Sequence, residues 1–296
     1  MNKILFSIKI LILLTSCLFL SHVSFASEKL QPFTLILDWF ANPDHAPIFV
    51  ADQQGFFTKE GLSVKIIAPA NPSDPQKMVA ANQADVGITY EPQLLLDQKQ
   101  GLPLVQIGTL VDSPLGCLVA SGNNIQSLKD LKNKTIGYSV SGVDILHLNT
   151  MLHSVGLSEK DVTLINVNYD LTQALMTHKV DAVLGLMRNF EVIQMQLAGF
   201  PVKVFYPENY GVKKYAELIF VANINHYNQN KVLYNKFLQA VQMGNHYLQQ
   251  HPEQSWERFS KNHPELNNEL NKRSWFATLP YFAKNTAAIP PKNPNT

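Results

Sequence analysis

The chain has 296 residues, of which 46% are hydrophobic and 16% are charged, a composition typical of one or two globular domains. It carries 24 basic and 23 acidic side chains, so it lacks the basic excess of nucleic-acid-binding proteins and we expect no nucleic-acid partner. Of its two cysteines, only Cys117 follows the apolar N-terminal segment, so the fold should depend on its core rather than on disulfides.

Residues 1–26 have the pattern of a secretory signal peptide. An apolar run covers residues 10–20, and the Ser-Phe-Ala sequence at 24–26 is a small-x-small cleavage site, which predicts export to the periplasm. Cleavage there would remove two lysines and leave 22 basic and 23 acidic side chains. Two alternatives are a lipid anchor on Cys17, which ends a lipoprotein-like box, and a retained membrane anchor. Neither is favoured, because the apolar run continues past Cys17 and is short for a membrane span.

From residue 33 onward, strand-like apolar segments alternate with segments that have the spacing of amphipathic helices. Strands are predicted at residues 33–37, 63–67, 85–89, 103–110, 116–120, 135–139, 162–167, 180–185, 202–206 and 218–223. Helices are predicted from residue 48, over 75–82, 94–99 and 170–179, before Gly156 and Gly199, and over 233–250 and 252–259. The alternation predicts an α/β fold.

The first strand leads into a polar and aromatic loop that precedes a helix. In open α/β sheets, ligands bind at the carboxyl ends of the strands, which is where this loop lies. Trp39, Asn42 and His45 offer a π-surface, an amide and an imidazole. These groups suit a small aromatic, hydrogen-bonding ligand better than a phosphate or a metal ion.

Two stretches of the chain share one pattern, a helix followed by a short turn and a strand that begins with Asp. They cover residues 76–87 and 173–185. The first leads to Tyr90 and Glu91, and the second leads to Arg188, Asn189 and Glu191. This pattern fits two α/β lobes that present loops to a shared cleft. The carboxylate of Glu91 or of Glu191 could accept hydrogen bonds from the edge of an aminopyrimidine.

Each candidate has a purely structural alternative. Trp39 and Tyr90 could be core aromatics, and Glu91 and Glu191 could be ordinary surface carboxylates. Arg188 could bind an anion or meet an acid across the cleft, but a structural ion pair, for example with Glu191, is favoured.

A second candidate segment precedes the helix that ends at Gly156. Ser139, Ser141 and Gly142 lie before this helix, where free backbone N–H groups could hold a carbonyl or an anion. Asp144 is interpreted as the cap of that helix.

Metal and nucleophile chemistry have little support. The histidine pairs 147/153 and 246/251 lack zinc-ligand spacing, so we expect no metal and no cofactor. There is no Gly-x-Ser-x-Gly motif, and Cys117 lies inside an apolar run, where a small buried side chain is the favoured interpretation.

Several motifs together resemble those of the substrate-binding proteins of thiamine-precursor ABC transporters, which bind formylaminopyrimidine. These proteins lie within the pyrimidine-synthase-like (NMT1-like) family. The matching stretches run in order over about residues 33–225. They are LDWFANPDHA from Leu37, GFF from Gly55, ADVGI from Ala84, YEP from Tyr90, IGYSV from Ile136, RNFE from Arg188 and YPENYGV from Tyr206.

The resemblance implies a type II periplasmic-binding-protein fold with two lobes around a central ligand cleft. The expected division is residues 27–120 plus 218–284 for one lobe and 121–217 for the other, with a tail at 285–296. The implied partners are an ABC permease and its ATPase, with the binding protein acting as a monomer. The implied ligand contacts are Trp39 and Tyr90 on the ring, Asn42 and Glu191 on its edge, and the turn at 139–142 on the side arm, with Tyr210 in a further matching motif.

The same family contains synthases that make the thiamine pyrimidine from pyridoxal phosphate and a histidine of their own. Where such enzymes carry the cofactor-binding Lys and the consumed His, this chain has Thr89 and Gln93, and it lacks their cysteine-rich iron motif near residue 220. Thr cannot form a Schiff base, so a non-enzymatic binding protein is the favoured interpretation. A third alternative is a binding protein of the same fold for another solute, such as a flavin precursor or a sulfonate.

Overall fold

The computed structural model of the protein describes residues 29–122 and 124–286. The predicted signal peptide with Cys17 and most of the predicted tail therefore lie outside the described residues. Within those ranges, no helix combines the length and the apolar character that crossing a membrane requires. All ten predicted strands are present, with bounds within two residues of the expected ones.

The first lobe is built on a five-stranded sheet with the order β2-β1-β3-β10-β4. Strand β1 pairs in parallel with β2 and β3, whereas β10 is antiparallel to both β3 and β4. The strands are β1 (Gln31–Ile36), β2 (Leu62–Ile67), β3 (Val86–Thr89), β4 (Leu104–Val111) and β10 (Leu218–Asn223).

The second lobe repeats this arrangement in the order β7-β6-β8-β5-β9, with β5 antiparallel to β8 and β9. Its strands are β5 (Gly116–Ser121), β6 (Thr135–Tyr138), β7 (Thr163–Asn166), β8 (Ala182–Met187) and β9 (Val202–Phe205). This sheet corrects the expected lobe boundary, because residues 116–120 were assigned to the first lobe. The β5 segment is a continuous buried apolar run, so its pattern alone fits the centre of either sheet.

Eleven α-helices cover the sheets within the described ranges. They are α1 (Ala46–Gln53), α2 (Phe56–Lys59), α3 (Pro75–Ala80), α4 (Glu91–Lys99), α5 (Val143–His153), α6 (Leu171–Met176), α7 (Glu191–Leu197), α8 (Ile224–Gln229), α9 (Lys231–Gln250), α10 (Pro252–Asn262) and α11 (Glu269–Thr278). Helices α2, α8 and α11 were not predicted. The first two are short, and α11 is rich in polar residues, so its apolar periodicity is weak.

The largest core lies in the first lobe, where α1 and α9 pack on the sheet. Its centre is aromatic: Phe33 of β1 stacks on Phe237 of α9 with ring centroids 5.0 Å apart, and Phe57 stacks on the same ring at 5.7 Å. The second lobe has an apolar cluster around β8 that includes Leu171 and Leu186, and Trp39 of the first lobe packs into it. The loop after β1 is therefore in contact with both lobes.

Local capping predictions had mixed outcomes. Ser127 and Asp130 form the expected capping box, in which the Asp130 carboxylate accepts the Ser127 N–H at 2.8 Å. Asp74 and Asp170 do precede helices, but neither side chain makes a capping hydrogen bond. At the start of the predicted tail, Thr286 is buried, and its N–H donates to the Gln242 side-chain oxygen at 2.6 Å.

Candidate functional site

A cavity lies between the lobes at the carboxyl ends of β1, β3, β6 and β8. It encloses about 690 Å³ of empty space, part of which is open to solvent. Five of its lining side chains are carboxyl groups, and the lining includes aromatic residues from both lobes. The lining residues are Asp38, Trp39, Asn42, Asp44, Tyr90, Gly116, Ser139, Val140, Val143, Asp144, His147, Leu171, Leu184, Gly185, Met187, Phe190, Glu191, Pro207, Tyr215 and Glu217.

The loop after β1 is fixed by its own hydrogen bonds. The Asn42 side-chain oxygen accepts the Asp44 N–H at 2.8 Å and caps the 3-10 turn Pro43–His45. His45 Nδ1 accepts the Asn42 N–H at 3.4 Å, so Nε2 carries the hydrogen that it donates to Asp38 Oδ1 at 2.8 Å. Asp38 Oδ2 accepts the Tyr90 hydroxyl at 3.1 Å. Asp38 therefore joins this loop to the end of β3.

Two buried donors of the cavity wall have no hydrogen-bond partner within the described part of the chain. They are Trp39 Nε1 and the Ser139 hydroxyl. Buried indole N–H and hydroxyl groups are normally satisfied, so each is a candidate donor to an acceptor atom of a ligand. The Trp39 ring also meets the edge of Tyr169, with centroids 4.5 Å apart and an interplanar angle of 67°.

Three of the lining carboxyl groups have strongly raised pKa values. Burial raises the pKa of Glu191 and of Asp144 to about 7, and it raises the pKa of Asp44 to about 6. Glu191 accepts the Met187 N–H at 2.8 Å, which holds its carboxyl group at the N-terminus of α7. Carboxyl groups that titrate near neutral pH can act either as acceptors or as donors toward a ligand.

Glu217 fastens the two chain segments that cross between the lobes. Its Oε2 accepts the N–H groups of Leu115 and Gly116 at 2.6 and 2.9 Å, and it accepts the Tyr215 hydroxyl at 3.1 Å. Burial raises the pKa of Glu217. His147 lies 4.8 Å from the Tyr215 ring, and burial lowers its pKa to about 4, so this imidazole is neutral at physiological pH.

Comparison with known proteins places this chain in a family. The model of the NMT1/THI5-like family matches residues 42–255, which is well over half of the chain. The chain belongs to the NMT1/THI5-like family. It is 48% identical over 268 residues to a Haemophilus influenzae protein named for thiamine biosynthesis, covering 90% of this chain and 84% of that protein.

Other relatives of this NMT1/THI5-like chain are named either as binding proteins or as synthases. One is the formylaminopyrimidine-binding protein of Halalkalibacterium halodurans, 29% identical over 88% of this chain and 81% of the relative. Another is the 4-amino-5-hydroxymethyl-2-methylpyrimidine phosphate synthase of Legionella pneumophila, 27% identical over 85% of this chain and 80% of the relative. The sequence comparisons therefore include both a binding protein and a synthase.

Solved structures confirm the predicted fold class. The alkanesulfonate-binding protein SsuA of Xanthomonas axonopodis pv. citri, bound to MOPS, aligns with a TM-score of 0.69 at 13% identity, covering 88% of this chain and 86% of that one. The periplasmic aliphatic sulphonate binding protein SsuA of Escherichia coli aligns with a TM-score of 0.66 at 16% identity, covering 86% and 85%. This NMT1/THI5-like protein has the two-lobed α/β fold of periplasmic binding proteins.

Five of the predicted site residues of this NMT1/THI5-like protein line the cavity. Trp39, Asn42 and Tyr90 come from the first lobe, and Ser139 and Glu191 come from the second. The indole at 39 and the carboxyl group at 191 thus open onto one cavity from opposite lobes. Their roles as ligand contacts remain predictions.

Three other predicted residues lie behind the cavity wall and act on neighbouring groups. His45 is fully buried and orients Asp38. Asn189 donates to the Asp44 carboxylate and to the Thr278 hydroxyl, which ties the second lobe to the first. Gly142 packs against Gln93 and does not line the cavity.

The remaining four lie outside the cavity for local reasons. The Glu91 carboxylate accepts the Ala216 N–H at 2.8 Å, Ser141 is exposed, and Tyr210 packs on Phe205. Arg188 makes a structural ion pair, as favoured, but its partner is Glu208 at 2.8 Å and not Glu191.

The turn at 139–142 also differs from its expected role in this family member. The N–H groups of Ser139 and Val140 donate to Asp144 at 3.0 and 2.9 Å. The N–H of Val143 donates to the Gln93 side-chain oxygen at 3.0 Å. Those three N–H groups therefore have partners in the protein, whereas the buried Ser139 hydroxyl has none within the described residues and is available to a ligand.

Sequence reasoning missed several residues of the cavity wall. Asp38 and Asp44 belong to the motif that was singled out, and their flanking strand and cap positions were a usable signal. Tyr215 and Glu217 lie in a segment between lobes, where no local periodicity or motif marks them. Among the described residues, no group of three or more His, Cys, Asp or Glu side chains converges as a metal site, and no lysine lines the cavity.

Proposed function

We propose that this protein is an exported solute-binding protein of an ABC importer and that it captures a thiamine-precursor aminopyrimidine. The observation that carries the proposal is the acidic lining of the cavity. Asp38, Asp44, Asp144, Glu191 and Glu217 all line it, and no Lys or Arg does so within the described residues. Such a wall attracts ligands that are rich in donors or that carry positive charge.

An aminopyrimidine matches the groups that are free to bind it. Its amino group and its protonated ring nitrogen are donors that a carboxyl group such as Glu191 accepts. Its remaining ring nitrogen or its side-arm oxygen can accept from Trp39 Nε1 or from the Ser139 hydroxyl, which have no partner in the described structure. We further propose that Trp39 and Tyr90 contact the ring and that Asn42 contacts its edge.

The same wall argues against an anionic ligand. The sulfonate-binding neighbours share the fold at low identity, which says nothing about the ligand of this chain. A sulfonate in this cavity would face five carboxyl groups without a basic side chain to neutralise it. Arg188, the basic side chain predicted for this site, is already bound to Glu208 by two hydrogen bonds of 2.8 and 3.0 Å.

The positions of Thr89 and Gln93 argue against the synthase alternative. Thr89 is buried at the end of β3, and Gln93 uses its amide to bond Val143 N and Asp97. No lysine of the described residues lines the cavity, where one would be needed to form a Schiff base with pyridoxal phosphate. We therefore propose that the protein binds its ligand without changing it.

The importer context completes the proposal. Residues 1–26 are proposed to direct export to the periplasm, and a membrane permease driven by a cytoplasmic ATPase is the proposed recipient of the ligand. The binding protein is proposed to act as a monomer, because a cavity formed by both lobes of one chain needs no second copy.

Calorimetry on the purified exported form tests the function. We expect 4-amino-5-hydroxymethyl-2-methylpyrimidine and formylaminopyrimidine to bind, and we expect taurine and riboflavin to bind far more weakly. Glu191→Gln should weaken pyrimidine binding by about 10- to 100-fold, the range for a hydrogen bond to a charged group. Glu253→Gln changes an exposed carboxylate outside the cavity and should have no effect.

Two results would contradict the proposal. The ligand class is wrong if taurine binds more tightly than either pyrimidine. The non-enzymatic role is wrong if the protein, incubated with pyridoxal phosphate and iron, releases a new pyrimidine that mass spectrometry detects. Ligand recovered unchanged from the complex would support a binding protein.

A further inference from the structure

A groove continues from the cavity to the protein surface. Trp39, Leu171, Phe190 and Glu191 line both spaces, so the groove begins where the cavity ends. It encloses about 1230 Å³ of empty space that opens to solvent. A ligand whose first ring occupies the cavity could therefore extend into the groove without moving the lobes apart.

Aromatic side chains from both lobes form the walls of this groove. Phe40 is 43% exposed, and its ring lies 5.5 Å from Trp39, 6.3 Å from Tyr169 and 6.5 Å from Phe190, centroid to centroid. A large apolar ring that remains this exposed beside three other rings leaves a π-surface available to a ligand.

The ionisable side chains that line the groove are acidic. Asp170 and Glu191 line it, and no Lys, Arg or His does so in the described part of the chain. Asp170 is exposed, and its side chain does not cap α6, so its carboxylate is not committed to that helix. Aromatic faces combined with carboxylates favour cations, and above all cations whose charge is spread over a ring.

We propose that the groove is a second subsite that receives a positively charged aromatic ring attached to the pyrimidine, so that the protein binds intact thiamine as well as its precursor. This inference rests on the proposed function, because the pyrimidine ring must occupy the cavity first. Thiamine joins its two rings through a single carbon, which fits two subsites that share a wall. The thiazolium ring would lie among Phe40, Tyr169 and Phe190, with Asp170 and Glu191 as the nearby negative charges.

Three ligands distinguish the contributions of ring and charge. Calorimetry should give thiamine an affinity about 3- to 30-fold higher than that of 4-amino-5-hydroxymethyl-2-methylpyrimidine, the range for one cation–π contact. An analogue with a neutral thiophene in place of the thiazolium ring should lose most of this gain. Added salt should weaken thiamine binding more than pyrimidine binding, because the Asp170 carboxylate is exposed to solvent.

Two variants test the groove itself. Phe40→Leu and Asp170→Asn should each reduce thiamine affinity about 3- to 10-fold and leave the affinity for the single-ring pyrimidine unchanged, because neither residue lines the cavity. Leu197→Ala is the matched control for Phe40→Leu, since Leu197 is 40% exposed and lies outside the groove. Glu253→Gln is the matched control for Asp170→Asn.

The outcomes separate this inference from the proposed function. The second subsite is wrong if the pyrimidine binds but thiamine binds no more tightly, or if neither Phe40→Leu nor Asp170→Asn changes thiamine affinity. In both cases the proposed function stands. If neither ligand binds, the proposed function itself fails. Equal affinities for thiamine and its thiophene analogue would show that charge plays no part, which contradicts the proposal.

Discussion

The Gln93 side-chain oxygen accepts a hydrogen bond of 3.0 Å from the backbone N–H of Val143. Gln93 lies on α4 of the first lobe, and Val143 is the first residue of α5 in the second lobe. The amide therefore satisfies one of the free N–H groups at the start of a helix in the opposite lobe. This contact holds the lobes together beside the ligand cavity.

The contact predicts that Gly142→Ala weakens ligand binding. Gly142 has helical backbone angles that alanine also adopts, but an added Cβ would overlap with Gln93 Oε1. The added methyl group should displace the flexible Gln93 side chain and break its hydrogen bond to the Val143 N–H, so we expect a lower apparent pyrimidine affinity with little loss of thermal stability. Calorimetry and thermal unfolding measure the two effects.

A double-mutant cycle supplies the control for that prediction. Gln93→Ala alone should weaken binding modestly, by about 0.5–1.5 kcal/mol, because it removes one neutral hydrogen bond. In the Gln93→Ala background, Gly142→Ala should cost much less, since the clashing atoms are gone. Equal costs in both backgrounds would mean that the overlap with Gln93 is not the cause.

The buried carboxyl groups predict that the ligand-free protein becomes less stable as the pH rises. Asp44, Asp144 and Glu191 have folded pKa values of about 6 to 7, above those of exposed carboxyl groups. Between about pH 4 and pH 7 the folded state therefore binds more protons than the unfolded state, so the free energy of unfolding decreases with increasing pH. The melting temperature should fall between pH 5 and pH 8.

The Asp144→Asn variant tests the origin of this pH dependence. Each unit of pKa shift corresponds to about 1.4 kcal/mol, so removing one such group should flatten the slope measurably. Asp130→Asn is the control, because hydrogen bonds from Ser127 and Gln126 lower rather than raise the pKa of that exposed carboxyl. A melting temperature that rises from pH 5 to pH 8 would disprove the assignment.

Replacing Glu217 by Ala is predicted to destabilise the protein strongly. Replacement by Ala would leave the N–H groups of Leu115 and Gly116 buried without their acceptor, which should reduce the free energy of unfolding by about 2–5 kcal/mol. Glu217→Gln keeps one acceptor oxygen and should cost clearly less. Chemical denaturation measures both, and Glu253→Ala on the exposed face of α10 should be neutral. A neutral Glu217→Ala would contradict this role.

Arg188 and Glu208 are predicted to contribute unequally to stability. Arg188 also donates to the Leu115 carbonyl at 3.2 Å and lies over the Tyr206 ring at 4.4 Å, whereas Glu208 is partly exposed. Arg188→Ala should therefore destabilise the protein more than Glu208→Ala, which removes only a partly exposed ion pair worth about 1 kcal/mol or less. Neither should change pyrimidine affinity by more than a few-fold. A large affinity loss in Arg188→Ala alone would instead indicate an anion site.

Local sequence patterns were sufficient to predict the strands, one helix cap and part of the cavity wall. The ten strands follow from short apolar runs, and the capping box of Ser127 and Asp130 follows from its spacing. Trp39, Tyr90 and Glu191 were expected at the cleft because they follow strands whose end loops the two lobes should present to a shared space. All three line the cavity.

Local sequence patterns were not sufficient to predict which elements and side chains pair with one another. The β5 strand was assigned to the wrong lobe, because an apolar run buried on both faces does not specify its partners. Arg188 was correctly interpreted as half of an ion pair, but its partner Glu208 could not be chosen over Glu191 from spacing alone.

The sequence by itself determined the α/β class, the two-lobed fold and the family, because these depend on periodicity and on motifs that are contiguous in the chain. Only the tertiary structure decided which carboxyl groups share one cavity. Asp38 and Glu217 are far apart in the chain and are brought together by pairing between β1, β3 and β10 and by the segments that cross between the lobes. The raised pKa of Glu217 and its hydrogen-bond partners arise from burial in that assembled site, which no local pattern encodes.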